Sequence, residues 1–287
     1  MDDERLAPSG GAAPSWIRPQ TLLLNFCGNW LLGRPEAVFS GSLVDVLRRV
    51  NVGEYAARAT LARMTRRDLL ETHRLGKRSY LALTARGRAV LEEGGRALEA
   101  GPVNRSWDGR WTLLGFSLPE TRRADRHLLR SRLTWAGFGL LQHGLWISSA
   151  EVDVERLLEG LDVVDHLNVL RATTAGPTEV GELIRRTWDL DALAGGYRAF
   201  LDRWDRRDPL PGAGDDLSRL LQLMTEWLLL VRDDPRLPLE HLPADWPAVR
   251  AEQVEVRLRR RYEEPAKRVV EEIIDRIPLP AAQGLSR

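Results

Sequence analysis

The sequence of 287 residues contains one cysteine and five histidines, and these scarcities exclude several classes of protein. A single cysteine, Cys27, cannot form a disulfide within the chain, and the scattered histidines offer no zinc-ligand spacing. No apolar run reaches the length of about eighteen residues that a membrane-spanning helix needs. Cys27 lies in the apolar run LLLNFCGNWLL, which predicts a packed thiol and a cytoplasmic protein.

The motifs of common enzyme classes are also missing. The sequence contains no G-x-S-x-G, no Walker loop and no H-E-x-x-H. The glycines of GFGLLQHG lack the spacing of a dinucleotide-binding loop and are typical of a turn instead. The sequence therefore predicts no catalytic residue and no metal site. Residues 1–18 are rich in Gly, Pro and Ala and are expected to be a disordered arm rather than a targeting peptide.

Positive charge is concentrated in one segment of a nearly neutral chain. The net charge of the protein is +1, but residues 40–90 carry eleven Lys and Arg against four Asp and Glu. Such an imbalance favours a surface for an anionic partner such as nucleic acid. A solvated helix face and a basic hairpin that bind nothing would have the same composition.

This basic segment has the pattern of helices followed by a hairpin. Apolar spacing predicts helices from Pro19, over SLVDVLRRV and over residues 54–68, and Ser42 with Asp45 offers a capping box for the second helix. Two strand-like runs, LLETHR and RSYLALT, flank a glycine turn. This order is typical of a winged helix-turn-helix domain, which is predicted for residues 19–100.

A helical wheel of residues 54–67 separates a packing face from a cationic face. The packing face consists of Ala57, Thr60, Leu61 and Met64. The opposite face consists of Tyr55, Arg58, Ala59, Ala62 and Arg66, with Arg63 beside it. Small and cationic side chains on one face allow a helix to approach the floor of the DNA major groove.

The chain after residue 100 predicts a second sheet-containing domain. Patterns of strand, helix, two strands, helix and strand follow one another over residues 101–176, in the βαββαβ order of a ferredoxin-like domain. Small nucleases share this order, but their metal-binding aspartate after the first strand has no counterpart, because Phe116, Ser117 and Leu118 stand there. The predicted fold class is therefore α+β.

The last third of the sequence predicts helices. Residues 177–277 are expected to be a helical domain that supplies effector and dimer contacts, and residues 278–287 a flexible tail. Its predicted core residues are Trp188, Tyr197 and Phe200. The cluster Arg257, Arg259, Arg260 and Arg261 can contact DNA or a ligand phosphate, but a solvated helix end is the favoured interpretation.

Three segments in this order resemble the PaaX family of bacterial transcriptional regulators. They are GSLVDVLRRVNVGEYAARATLARMTRRDLLETHRLGKRSYLALTARG, WDGRWTLLGFSLPETRRADRHLLRSRLTWAGFGLLQHGLWIS and DPRLPLEHLPADWP, and the resemblance runs from about Pro19 to the helix after Pro247. It implies a homodimeric repressor, not an enzyme, that binds double-stranded operator DNA and is released by an acyl-CoA such as phenylacetyl-CoA. Two alternatives stay open: an acyl-CoA-acting enzyme with a vestigial winged helix, and a winged helix that docks proteins.

The resemblance also assigns candidate site residues. The reading helix of the family falls on residues 54–67 and its wing on residues 71–83. Because the first turns of a reading helix reach the groove floor, the candidates for base contact are Tyr55, Arg58 and Arg63. The candidates for phosphate contact are Arg66, Arg67, Lys77 and Arg78.

Candidates for effector binding follow from arginines and tryptophans in the predicted ferredoxin-like domain. Arginines at helical spacing can hold the phosphates of a coenzyme A moiety, and tryptophans can line an aromatic acyl pocket. These candidates are Trp107, Arg122, Arg123, Arg126, Arg130 and Trp146. An exposed helix and core tryptophans are the alternatives without a ligand.

Overall fold

The computed structural model describes residues 17–279, without the side chains of Ala97 and Ala100. The helices α1 to α10 are Pro19–Trp30, Ser40–Arg49, Glu54–Arg66, Ala85–Ala100, Arg123–Trp135, Val154–Leu157, Val180–Thr187, Leu190–Trp204, Asp216–Asp233 and Pro247–Ile273. The strands β1 to β8 are Glu36–Phe39, Leu70–Leu75, Arg78–Leu83, Arg110–Phe116, Gly139–Gln142, Leu145–Ser148, Leu167–Thr173 and Arg276–Pro278. These helices and two antiparallel sheets confirm the predicted α+β class. Nearly all of the predicted arm and most of the predicted tail lie outside the described residues.

The described chain divides into two compact units, and neither is continuous in sequence. The first unit contains residues 17–99, 202–228 and 253–279, and the second contains residues 100–201 and 229–252. The chain passes from one unit to the other at the last residue of α4 and within α8, α9 and α10. The domain boundaries expected at residues 100 and 176 stay predictions.

The sheet of the first unit has the order β2-β3-β1-β8, and all neighbours are antiparallel. Strands β2 and β3 form the predicted hairpin, with a turn at Gly76, whose φ of 59° suits a residue without a Cβ. Strands β1 and β8 were not predicted, because four and three residues are too few to display an alternating pattern. These two strands pair with each other, with Ala37 opposite Ile277.

The helices α1, α2 and α3 pack against one another in the first unit. The apolar spacing that predicts α1 corresponds to a buried face, which consists of Leu22, Leu23, Phe26 and Trp30 and continues at Leu31 after the helix. The predicted capping box of α2 is wrong, because the helix begins at Ser40 and has no side-chain cap. Ser42 is buried, and its hydroxyl donates to the carbonyl oxygen of Ile273 at 2.9 Å and accepts from the amide of Asp275 at 3.2 Å. Asp45 is exposed.

The sheet of the second unit has the order β5-β6-β4-β7, again antiparallel. The elements β4, α5, β5, β6, α6 and β7 follow one another in the predicted order, although α6 has only four residues. One face of the sheet packs against α5 around Leu114 and Trp146. The opposite face packs around Trp111 and Ile147.

The segment predicted to be helical forms α7 to α10. Of its predicted core residues, Tyr197 and Phe200 are fully buried, whereas Trp188 is half-buried. The buried carboxylate of Glu226 accepts a hydrogen bond from Nε1 of Trp204 at 2.8 Å, and its burial raises its pKa. No helix of residues 17–279 combines the length and the apolar composition needed to cross a membrane.

Candidate nucleic-acid interface

The packing face of α3 is the one that its sequence predicted. Ala57, Thr60, Leu61 and Met64 are all buried. The helix begins at Glu54 after Gly53, with no side-chain cap. Because every third or fourth residue is buried, the opposite side of α3 is left to solvent.

The exposed face of α3 carries the predicted cationic residues. Tyr55, at its first turn, is 89% exposed, and Arg58, Ala62, Arg63 and Arg66 are exposed with it. Arg67, at the C-terminal end of the helix, is exposed as well. A projecting aromatic ring and three guanidinium groups thus occupy the exposed side of α3, and a fourth guanidinium group lies at its C-terminal end.

Two of these arginines are oriented by neighbours on α3. Arg58 donates from Nε and Nη2 to Oε1 of Glu54 at 2.9 and 2.8 Å, and this hydrogen bond lowers the pKa of Glu54. The pair is exposed, so water weakens it and an anionic partner can replace the carboxylate at little cost. Arg63 donates from Nη2 to Oγ1 of the buried Thr60 at 2.8 Å, which holds its side chain along the helix.

The hairpin of β2 and β3 supplies the other predicted cations. Lys77 follows Gly76 at the tip and is exposed. Arg78 lies at the start of β3, where its guanidinium group is 2.6 Å from Asp275 and 4.0 Å from the centre of the Phe39 ring. Arg78 is therefore anchored to β1 and to the residue before β8, while Lys77 projects from the turn.

No local pattern in the sequence indicates the partners of Arg78. Asp275 is 197 residues away along the chain, and it also lies 3.4 Å from the hydroxyl of Tyr80. Its position depends on the pairing of β8 with β1, which the sequence patterns did not predict.

The candidate effector residues lie in the second unit, and the structure does not gather all six. Arg122 pairs with Asp125 at 2.8 Å, and Arg126 donates to two backbone carbonyl oxygens before α5. Arg123 and Arg130 are exposed on α5. The arginines keep the predicted helical spacing, but half of them are already engaged within the protein.

The two tryptophans proposed for an acyl pocket pack on opposite faces of the second sheet. Trp146 is buried in the cluster beneath α5. Trp107 packs with the cluster of the other face, where its ring lies 4.8 Å from that of Trp111 and its Nε1 donates to the Arg110 carbonyl oxygen. A single pocket cannot use both rings in this arrangement. Residues 17–279 also contain no group of three or more His, Cys, Asp or Glu that could hold a metal ion.

Three family models match successive parts of the chain. The model described as "PaaX-like protein" matches residues 18–87. The model described as "PaaX protein central Cas2-like domain" matches residues 104–184, and "PaaX-like protein C-terminal domain" matches residues 188–272.

Whole-chain comparisons agree with these matches. The protein named "Transcriptional repressor PaaX" from Escherichia coli (strain K12) is 26% identical over 284 residues, covering 93% of this chain and 89% of the relative. The solved structure of an uncharacterized protein from Mycobacterium tuberculosis has a TM-score of 0.58 at 22% identity, covering 86% of this chain and 95% of that one. The similarity to this solved structure shows the fold alone. Three consecutive family matches and a curated relative of similar length establish that this chain belongs to the PaaX family of transcriptional regulators.

Proposed function

We propose that the protein is a transcriptional repressor that binds double-stranded operator DNA through α3 and the β2–β3 hairpin. The observation that carries this proposal is the exposed cationic face of α3, which lies opposite a fully buried face in the most basic segment of the chain. A relative over most of the chain is named a transcriptional repressor, which supports the same function. In this proposal α3 enters the major groove and the hairpin contacts the backbone.

The order of elements supports a winged helix-turn-helix assignment for the DNA-binding segment. Helix α1, strand β1, helices α2 and α3 and the hairpin follow one another, and β1 pairs with β3 of the hairpin. We likewise assign the second sheet to a ferredoxin-like domain, since its strand order β5-β6-β4-β7 follows the chain as second, third, first and fourth.

The candidate residues have two different roles in DNA binding. Tyr55, Arg58 and Arg63 contact base edges and set the operator sequence. Arg66, Arg67, Lys77 and Arg78 contact phosphates and set affinity and its salt dependence. Arg78 reaches a phosphate with its remaining N–H groups while it stays anchored to Asp275.

The family resemblance extends the proposal to an effector. An acyl-CoA such as phenylacetyl-CoA binds the cytoplasmic homodimer and releases it from the operator. Two-site coupling of this kind amounts to about 1–3 kcal/mol and is reciprocal, so operator DNA must weaken thioester binding by the same factor. Among the candidate arginines of α5, the exposed Arg123 and Arg130 are the ones free of the contacts that engage Arg122 and Arg126.

A fluorescence anisotropy titration of the promoter upstream of the protein's own gene tests the DNA assignment. Arg58→Ala should cost about 1–3 kcal/mol of operator affinity and relax sequence preference, and Lys77→Ala should lower the salt slope by about one. Arg185→Ala is the matched control, because Arg185 is equally exposed and pairs with Glu182 as Arg58 does with Glu54. Unchanged binding by Arg58→Ala would show that α3 is not the docking face.

The complex of the protein with promoter DNA also tests whether an acyl-CoA releases the DNA and whether the protein is an acyl-CoA-acting enzyme. Phenylacetyl-CoA added to the complex should release the DNA, and the thioester should be recovered intact after incubation with the protein. Loss of the thioester bond catalysed by the protein would favour an acyl-CoA-acting enzyme. Absence of binding to this promoter and to its neighbours would favour a module that docks proteins.

A further inference from the structure

A cleft of about 360 Å³ lies within the first unit, between the loop after α8 and one face of α10. Its lining residues are Asp205, Arg206, Arg207, Arg257, Leu258 and Arg261. Four guanidinium groups therefore converge with one carboxylate. The cleft involves neither α3 nor the hairpin and contains none of the candidate effector residues.

The single carboxylate leaves most of this positive charge uncompensated. Asp205 accepts from Nη2 of Arg257 at 2.9 Å. Arg206 donates from Nε to the backbone carbonyl oxygen of Asp202, and Arg261 donates from Nη1 to that of Arg207 at 3.5 Å. Within the described residues, no carboxylate lies within 4.0 Å of the guanidinium nitrogens of Arg206, Arg207 or Arg261. Neutral carbonyl groups thus orient the guanidinium groups of Arg206 and Arg261.

A buried helix face fixes the floor of the cleft. Arg257 and Arg261 are four residues apart on α10 and project from the same side. Leu258 lines the cleft from the same helix and is almost completely buried, as is Tyr262 next to Arg261. Like charges at this spacing repel each other, and an anion between them removes that repulsion.

We propose that this cleft binds a phosphate group. Guanidinium groups present paired N–H donors that match phosphate oxygens, and three or more of them can share a pyrophosphate in a cleft of this volume. The phosphate has two chemical sources: the phosphates of a soluble nucleotide-type ligand or the backbone of bound DNA. Neither source is presupposed, so the inference stands independently of the proposed operator and effector.

Isothermal titration of the full-length protein with inorganic pyrophosphate at low salt tests the site. We expect saturable binding of pyrophosphate by the parent and at least about tenfold weaker binding by the double variant Arg257→Gln/Arg261→Gln. The reason is that a hydrogen bond from a guanidinium group to a phosphate oxygen is charge-assisted and stronger than one between neutral groups. The matched control is Arg260→Gln/Arg268→Gln, which removes the same charge from exposed positions of the same helix outside the cleft lining. This control should bind pyrophosphate within about twofold of the parent.

Two results would overturn the proposal. One is the absence of saturable pyrophosphate binding by the parent; the other is an equal loss in both double variants, which would indicate attraction to net charge alone. The single variant Arg261→Gln repeats the measurement without breaking the Arg257–Asp205 pair, and thermal unfolding confirms that each variant is folded. Arg261→Gln must still weaken binding relative to Arg260→Gln.

DNA titrations of the same variants identify the source of the phosphate. If the DNA backbone occupies the cleft, Arg257→Gln/Arg261→Gln should lower the salt slope by about two relative to the control. If a soluble ligand occupies it, the DNA slope stays unchanged while pyrophosphate binding is lost. Pyrophosphate binding requires no DNA, so failure of the proposed repressor function would leave this test intact.

Discussion

The substitution Ser42→Ala tests how the C-terminal strand is attached to the first unit. The Ser42 hydroxyl is buried in α2 and makes two hydrogen bonds at the C-terminal end of α10: it donates to the carbonyl oxygen of Ile273, the last residue of α10, and accepts from the amide of Asp275. Strand β8 begins at the next residue and pairs with β1. Removal of this one oxygen therefore weakens the connection between α2 and β8 without disturbing the apolar core.

The expected cost follows from the two hydrogen bonds. Each bond of this kind contributes about 1 kcal/mol net, so Ser42→Ala should lower the free energy of unfolding by about 2 kcal/mol. Asp45→Ala removes the other member of the sequence-predicted capping box. Because Asp45 is exposed and its ion-pair partner Arg48 is exposed as well, its loss should cost less than about 0.5 kcal/mol.

Urea unfolding followed by tryptophan fluorescence measures both costs. Amide exchange at Phe39, which donates to the Asp275 carbonyl oxygen at 2.8 Å, provides a local readout and should accelerate by about 30-fold in Ser42→Ala, as 2 kcal/mol implies. Equal costs for Ser42→Ala and Asp45→Ala would support the capping box and refute the attachment. A change below about 0.5 kcal/mol in Ser42→Ala would refute it too.

Three further predictions concern burial, packing and pH. Burial raises the pKa of Cys27 to about 12, so its thiol should resist alkylation at pH 8 in the native protein and react promptly in denaturant. Gly87→Ala should lower the free energy of unfolding by about 1–3 kcal/mol, because the added Cβ would overlap the carbonyl oxygen of Leu69. Gly94→Ala in the same helix, α4, has open space around it and should raise that free energy by about 0.5–1 kcal/mol. Thermal unfolding of both variants measures the two changes. Burial raises the pKa of Glu226 above 4.5, so its contribution to stability is present below that pH and is lost as pH rises through the raised value. The stability of Glu226→Gln relative to the parent should therefore increase with pH in urea titrations, and a difference independent of pH would contradict the shift.

Local patterns in the sequence predicted those parts of the candidate interface that lie within a single helix or hairpin. The two faces of α3 follow from the 3.6-residue period of the helix. The glycine at position 76 predicts the hairpin turn, because such turns need a residue that adopts a positive φ, as Gly76 does. In the second unit, the order of strands and helices followed from alternating and helical patterns. The helical pattern before the last strand of that unit forms only the four residues of α6, and Gly160, with a φ of 74°, prevents a helix from continuing beyond it.

The sequence by itself determined the α+β class, the two faces of α3 and the hairpin, since each depends on interactions between residues that are near neighbours in the chain. Only the tertiary structure decided that β8 pairs with β1, that Asp275 anchors Arg78 and that arginines of α10 meet the loop after α8. The partners in these contacts are separated by tens to hundreds of residues. Which of many polar groups meet across such distances depends on how the buried faces of several elements pack together, and no local period records that outcome.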